Sequence, residues 1–346
     1  MGEGDAAQDR RGPELTDQGG IIDLHVHYYT DEYVDAVKRA DTIRTYRRAD
    51  GRLVALWRTG VALTVVDPHP GPEQRIEMMD QLGLATQVLS VPSPNAYFLP
   101  ADEAERLSRS VNHAFADIVR SNPERFEALA MLPMQDLDRS LSVLGEGLEA
   151  LGMKGIMILT NIDGVPLDDE RFEPFWEAAD ERGLLVYVHP TVPDAPYHDE
   201  NALAISVGFM AESTLALARL SYSGVFERYP SIRWVFSHLG GTIPFVLPRL
   251  DSYWRQFEDC RERAPRPPSE YMKRLVFDTA STHQAALICA RDTLGGDRLA
   301  FGSDYPHIPA GSGPYIKALD ALDLTEEDHR AVIAGRARAL LDGRSI

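Results

Sequence analysis

Five side chains with the capacity for metal or proton chemistry stand at comparable places along this chain: His25, His27, His189, His238 and Asp304. His25 and His27 close an apolar run at positions i and i+2, and in an extended strand residues so spaced point to one face. Two imidazoles therefore address a single point. A bare His-x-His pair is a weak signal alone, and a single buried histidine is more often a structural group than a ligand. The other three also follow apolar runs: His189 and His238 end theirs, and Asp304 comes directly after another. Neutral imidazole nitrogens with one carboxylate oxygen suit Zn2+ or a similar divalent cation, Mn2+ included. Three or four protein ligands with one open position make the catalytic arrangement.

Such a set requires elements that bring distant residues together. Short apolar, β-branched runs recur at 21–25, 87–91, 126–132, 155–159, 184–189, 232–238, 274–279 and 299–303. Most are separated by segments with helical spacing, at 103–122, 138–151, 171–182, 212–229, 282–294 and 326–341. Leu-Leu-Val-Tyr-Val and Ile-Arg-Trp-Val-Phe are continuous rather than alternating, as parallel strands covered on both faces require. Eight βα alternations predict a closed (β/α)8 TIM-type barrel of the α/β class. Its active sites form at the mouth ringed by the strands' carboxyl ends. All five residues would converge there.

The register breaks once: about 60 residues separate the first run from the second. The stretch 28–86 is read as including a small insertion that caps the barrel mouth, with Asp50-Gly51 suited to a hairpin turn. Residues 1–19, rich in Gly, Asp, Glu and Arg without an apolar core, read as a disordered leader; 20–346 form the barrel domain.

A chain of 346 residues that is 44% hydrophobic can bury a large core in one domain. With 53 acidic against 35 basic residues and a net charge of −18, it carries no basic footprint for nucleic acid. No stretch approaches the roughly 18 apolar residues of a membrane span. Two cysteines, Cys260 and Cys289, are too few for a disulfide framework, which points to a reducing cytoplasm.

The segments IIDLHVH, VYVHP, SGVFERYPSIRWVFSHLGG and LAFGSDYPH, in that order, resemble the amidohydrolase-related family that includes aminocarboxymuconate-semialdehyde decarboxylase and γ-resorcylate decarboxylase. The resemblance runs from Gly20 to the C-terminus. It implies one divalent metal, Zn2+ by expectation with Mn2+ as the alternative, held by His25, His27, His189 and Asp304. His238 matches the catalytic histidine over the open metal position, with Asp304 sharing that catalytic role. Arg249 matches an arginine that some family dimers lend to the neighbouring subunit, so a homodimer is implied as well. Binuclear barrels of this group use a modified lysine near the end of strand four. Here Lys154 begins that strand, roughly 15 Å from the mouth, which favours one metal.

The favoured activity is non-oxidative decarboxylation of a small-molecule aromatic or unsaturated carboxylic acid. Hydrolysis of a lactone, amide or ester, or hydration of an unsaturated acid, is open to the same residues. A non-catalytic binding barrel is the third reading. One departure bears on the substrate. In the semialdehyde branch an arginine after an Asp-Gly pair grips a substrate carboxylate; here Ala55 stands at that offset, between Arg52 and Arg58. Either another arginine substitutes or the substrate differs. Arg58, Arg249 and His283 are the candidate substrate-binding residues. His307 is a candidate for supporting the metal ligands, and His69, His113 and His329 read as loop or helix-surface groups. Trp57, Tyr97, Phe98 and Phe209 read as core, with a pocket wall as the alternative.

Overall fold

In the computed structural model, residues 20–58, 60–65, 69–193, 201–307 and 311–344 are described. The expected leader, 1–19, lies outside them. In chain order the strands are β1 (Ile21–His27), β2 (Ile43–Arg47), β3 (Leu53–Trp57), β4 (Gly60–Val65), β5 (Leu84–Ser90), β6 (Phe126–Ala128), β7 (Ile156–Leu159), β8 (Asn161–Ile162), β9 (Val165–Pro166), β10 (Leu185–His189), β11 (Arg233–Phe236), β12 (Val276–Asp278) and β13 (Leu299–Ala300).

Eight of these are the parallel staves of a (β/α)8 barrel. They pair as two arcs, β1-β5-β6 and β7-β10-β11-β12-β13. Parallel bridges close the ring at both seams, Ala130 to Ile156 on one side and Val26 to Tyr305 on the other. At the first seam the Ala130 amide donates to Gly155 O (2.8 Å), and at the second the Leu24 amide donates to Phe301 O (3.0 Å). Each stave overlaps its predicted apolar run, although the runs at 126–132 and 299–303 are strand only to Ala128 and Ala300, and β5 begins at Leu84, ahead of the run at 87–91. Every residue of β7 and β10 is buried, because helices cover one face and the lumen the other.

The lumen has two ends with different fillings. Leu24, Val88, Leu129, Met157, Leu185, Val235 and Val276 pack in its lower part, over Ala337 and Leu340 of the C-terminal helix Arg336–Leu341. The apolar floor leaves the carboxyl end for polar residues. β1 carries a bulge between Asp23 and Val26, where three steps on β1 match two on β5. Ile22 and Leu24 point into the lumen floor, and the extra residue within the bulge lets His25 as well as His27 turn inward at the mouth.

The insertion after the helix Asp31–Arg39 is an antiparallel sheet, β2-β3-β4. Gly51, at φ +84, makes the β2–β3 turn, with the Arg48 amide donating to Arg52 O (2.9 Å). Lys154 sits before β7 with its ammonium 3.7 Å from Glu127, at the end of the barrel away from the histidines.

Candidate metal centre and active site

His25, His27, His189 and Asp304 present one ligand atom each, and these four atoms lie within 4.8 Å of one another. His25 Nε2 is 3.0 Å from His27 Nε2, and Asp304 Oδ1 is 3.0 Å from His27 Nε2 and 3.4 Å from His25 Nε2. The three imidazoles are buried, while the Asp304 side chain keeps 18% exposure toward the mouth. Among the described residues this is the one such cluster.

The far side of each ring decides what the near side offers. His189 Nδ1 is 2.7 Å from Pro190 O, an oxygen that only accepts, so Nδ1 carries the proton. Ser90 Oγ donates to Val26 O (2.8 Å) and therefore accepts from His27 Nδ1 (3.1 Å). His25 Nδ1 lies 2.7 Å from Asp278 Oδ2, approaching obliquely, with no other partner among the described residues. All three histidines thus turn Nε2 lone pairs toward each other and toward a carboxylate. Lone pairs at 3.0 Å repel unless a cation or proton lies among them, and three neutral nitrogens with one carboxylate oxygen fit a divalent metal.

Burial holds two of the three rings neutral. Burial pushes His27 down to about 3 and His189 well below the usual histidine range, so both stay neutral as ligands must. Burial opposes the charge on His25 as well, but Asp278 and Asp304 outweigh it and raise that ring. Burial would raise Asp304, but the neighbouring His25 and His238 rings prevail and hold it well below the carboxylate range.

His238 follows β11 with Nε2 3.5 Å from Asp304 Oδ2, its ring centroid 5.0 Å from that of His25 and 5.4 Å from that of His189. Its φ of +53 and the +59 of Asp304 are left-handed values that L residues avoid, at a cost of about 1–3 kcal/mol each. Gly240 and Gly241 continue the same turn, and a Cβ on Gly241 would meet Met210 O at 2.3 Å. The Asp304 loop is anchored from below by Asp23, which accepts from the Ser303 amide (3.0 Å), Ser303 Oγ (2.5 Å) and Ser312 Oγ (3.2 Å). Burial pushes Asp23 up to about 7 despite these bonds.

A cavity of about 420 Å³ opens above the cluster, a size suited to a small organic acid. His189, His238, Asp304 and His307 line its floor; Phe209 and Met210 form an apolar side; Arg48 and Arg52 from the β2–β3 hairpin reach its upper wall. His307 accepts from or donates to Tyr29 Oη at 2.9 Å.

A family model described as amidohydrolase matches residues 22–343. The chain belongs to the amidohydrolase family. Among its relatives is the 2-amino-3-carboxymuconate-6-semialdehyde decarboxylase of Dictyostelium discoideum, 30% identical over 276 residues that span 78% of this chain and 76% of that one. A γ-resorcylate decarboxylase of Rhodococcus jostii is 30% identical over 284 residues, covering 77% of this chain and 85% of that one. The crystal structure of a dihydroxybenzoic acid decarboxylase from Polaromonas, with bound manganese and the inhibitor 2-nitroresorcinol, superposes with a TM-score of 0.78. It does so at 24% identity, over 94% of this chain and 97% of that one.

Within this amidohydrolase barrel the other sequence candidates are distributed unevenly. The five residues named first meet at the mouth; Arg58, Arg249 and His283 do not line the cavity. Arg58 stacks on Trp57 (4.5 Å) and pairs with Asp163 (2.5 Å), because the β3 end faces the β8–β9 turn. His283 caps the helix Gln284–Leu294 on the exposed surface, and Arg249 lies exposed on the helix Ile243–Gln256. His69 accepts from the Tyr29 amide and faces Arg75, whereas His113 and His329 pair with Glu146 and Asp320 on helix surfaces. Trp57, Tyr97 and Phe98 are core, and Phe209 alone of that group reaches the cavity. Missed by sequence reasoning were Asp278, Ser90, Asp23 and Arg48. Asp278 was within reach, since a buried acid ending a predicted stave obeys the strand-end logic that singled out the histidines.

Proposed function

We propose that this amidohydrolase is a metal-dependent, non-oxidative decarboxylase of a small aromatic or unsaturated carboxylic acid. The observation that carries the reading is the convergence of three Nε2 lone pairs and Asp304 beneath a cavity into which His238 projects. The relatives' activities, read from their names, point the same way.

His25, His27, His189 and Asp304 would hold one divalent cation. When bound, it supplies a positive centre that engages the substrate and steadies charge as the carboxylate leaves. Zn2+ is favoured by the imidazole-rich set, with Mn2+, present in the Polaromonas enzyme, as the competitor. The bond that breaks joins the ring or vinyl carbon to its carboxylate; its electron pair stays on that carbon, which takes a proton as CO2 departs. His238 borders the cavity at 12% exposure and is the group placed to deliver the proton. Phe209 and Met210 keep water from one side, and Arg48 and Arg52 offer positive charge to an anionic substrate at the other.

A homodimer accompanies this reading. Phe245, Arg249 and Tyr253 form an i, i+4, i+8 stripe on one helix, with Phe245 83% exposed and Arg249 lying over the Tyr253 ring at 4.9 Å. A second copy seated there would cover the stripe and receive Arg249. Phe245→Asp should then halve the mass seen by analytical ultracentrifugation; an unchanged mass removes this face from the account. Unpaired Cys260 and Cys289 support a reducing, cytoplasmic setting.

The test of the activity is incubation of Zn2+- and Mn2+-loaded protein with hydroxybenzoic, heteroaromatic and unsaturated dicarboxylic acids and with lactones. Loss of CO2 from an acid, absent in His189→Ala, is expected; addition of water to a substrate instead would assign a hydrolase or hydratase.

A further inference from the structure

Asp278 ends β12, fully buried, and contacts both a metal-ligand candidate and the turn that carries His238. One carboxylate oxygen, Oδ2, faces His25 Nδ1 at 2.7 Å and accepts the Tyr187 hydroxyl from β10. The other, Oδ1, accepts the backbone amide of His238 at 2.8 Å and that of Ala280 at 2.9 Å. A single carboxylate therefore ties β1, β10, the turn after β11 and its own strand together at the mouth.

We propose that Asp278 is a positioning residue with two separable duties: it keeps the His25 proton on Nδ1, leaving Nε2 free as a ligand, and it holds the His238 turn in its left-handed conformation. The proposal rests on the metal-centre reading above. The first duty follows from the close, oblique contact between the carboxylate and the ring nitrogen. A carboxylate only accepts, so a ring nitrogen 2.7 Å away is stable beside it as N–H, and the lone pair must then sit on Nε2. The second follows from the backbone. His238 and Leu239 stand at φ +53 and +58, followed by Gly240 and Gly241 at +71 and +69. Such a turn persists where its surroundings over-determine it, and the Asp278 bond to the first amide is the one that fixes its start.

The two duties respond differently to substitution. In Asp278→Asn the amide oxygen can still accept the His238 and Ala280 amides, while the amide nitrogen, a donor, faces His25 Nδ1. The imidazole then answers by moving its proton to Nε2, where it blocks ligation. Metal affinity, read without substrate by competition of Zn2+ against a chromophoric chelator, should fall about 10–100-fold. Turnover should recover toward the parent kcat as metal is raised. Asp278→Ala loses both acceptors, so its kcat should stay low at saturating metal with KM little changed. Tyr187→Phe leaves the carboxylate in place and should keep parent metal affinity.

Unfolding midpoints of the metal-free variants separate a general loss of structure from these effects, and Asp278→Asn carries the test if Asp278→Ala does not fold. Parent-like Zn2+ affinity in Asp278→Asn overturns the proposal while leaving the metal centre intact. A parent protein that takes up no metal overturns both. Full recovery of kcat by Asp278→Ala at saturating metal removes the second duty.

Discussion

Gly302 lies in the segment between β13 and Asp304, in contact with the backs of two site residues. A Cβ built on it would stand 2.7 Å from His25 Cβ, 3.0 Å from Asp278 Cβ and 3.3 Å from Asp278 Cγ. Ordinary contact begins near 3.4 Å, so a methyl group here forces movement of about 0.7 Å between the β13 segment and β1. The neighbours are Cβ atoms close to rigid backbone rather than the ends of flexible chains, so the strain is not readily released. Overpacking of this kind costs about 1–3 kcal/mol. Metal sites tolerate ligand displacements of only about 0.2 Å, well under the displacement required. Gly302→Ala is therefore expected to lower the thermal midpoint by a few degrees and to weaken metal binding about tenfold or more. Differential scanning calorimetry with and without chelator, paired with a Zn2+ competition titration, reads both quantities. A variant with parent midpoint and parent affinity would refute the claim that Gly302 is where it is to make room for His25 and Asp278.

His238→Ala should retain parent metal content by elemental analysis and lose about 10²–10⁴ in kcat, since the side chain is proposed to move a proton rather than to ligate. Unchanged turnover would exclude that role. Arg52→Gln should raise KM about tenfold for a substrate bearing a second carboxylate while leaving kcat near parent, because a partly exposed charged bond lost from one end of the substrate affects binding uniformly. Steady-state kinetics on a mono- and a dicarboxylic acid of the same ring would show the effect on the second only, and equal effects on both would remove Arg52 from recognition.

The barrel and its metal set were legible because they are written in local pattern. Apolar runs such as Leu-Leu-Val-Tyr-Val announce a stave, and the residue ending each stave is carried to the mouth by topology alone. This rule gathers His25, His27, His189, His238 and Asp304 at the mouth, and the family resemblance divides them into metal ligands and a catalytic histidine. Recognition residues were legible only in part, since their positions depend on where a loop or hairpin lands. The Asp50-Gly51 turn was visible, yet whether Arg48, Arg52 or Arg58 would face the cavity depends on how β2-β3-β4 folds over the mouth; Arg58 turned to Asp163 instead. The continuous helical pattern read over 212–229 is broken because Gly224 adopts φ +75, where a Cβ would meet Arg263 O at 2.0 Å. Asp278, which ends a stave, falls under the same stave-end rule, whereas its duty and that of Ser90, fixing which nitrogen of a neighbouring ring carries a proton, depend on contacts made across strands.

Decarboxylation is decided by following one accepted acid in D2O by mass spectrometry and proton NMR. Metal-loaded parent is expected to form, and His189→Ala not to form, a product that has lost CO2 and carries one deuterium on the carbon left behind. A product that retains its carboxylate and has gained the elements of water would contradict the decarboxylase reading.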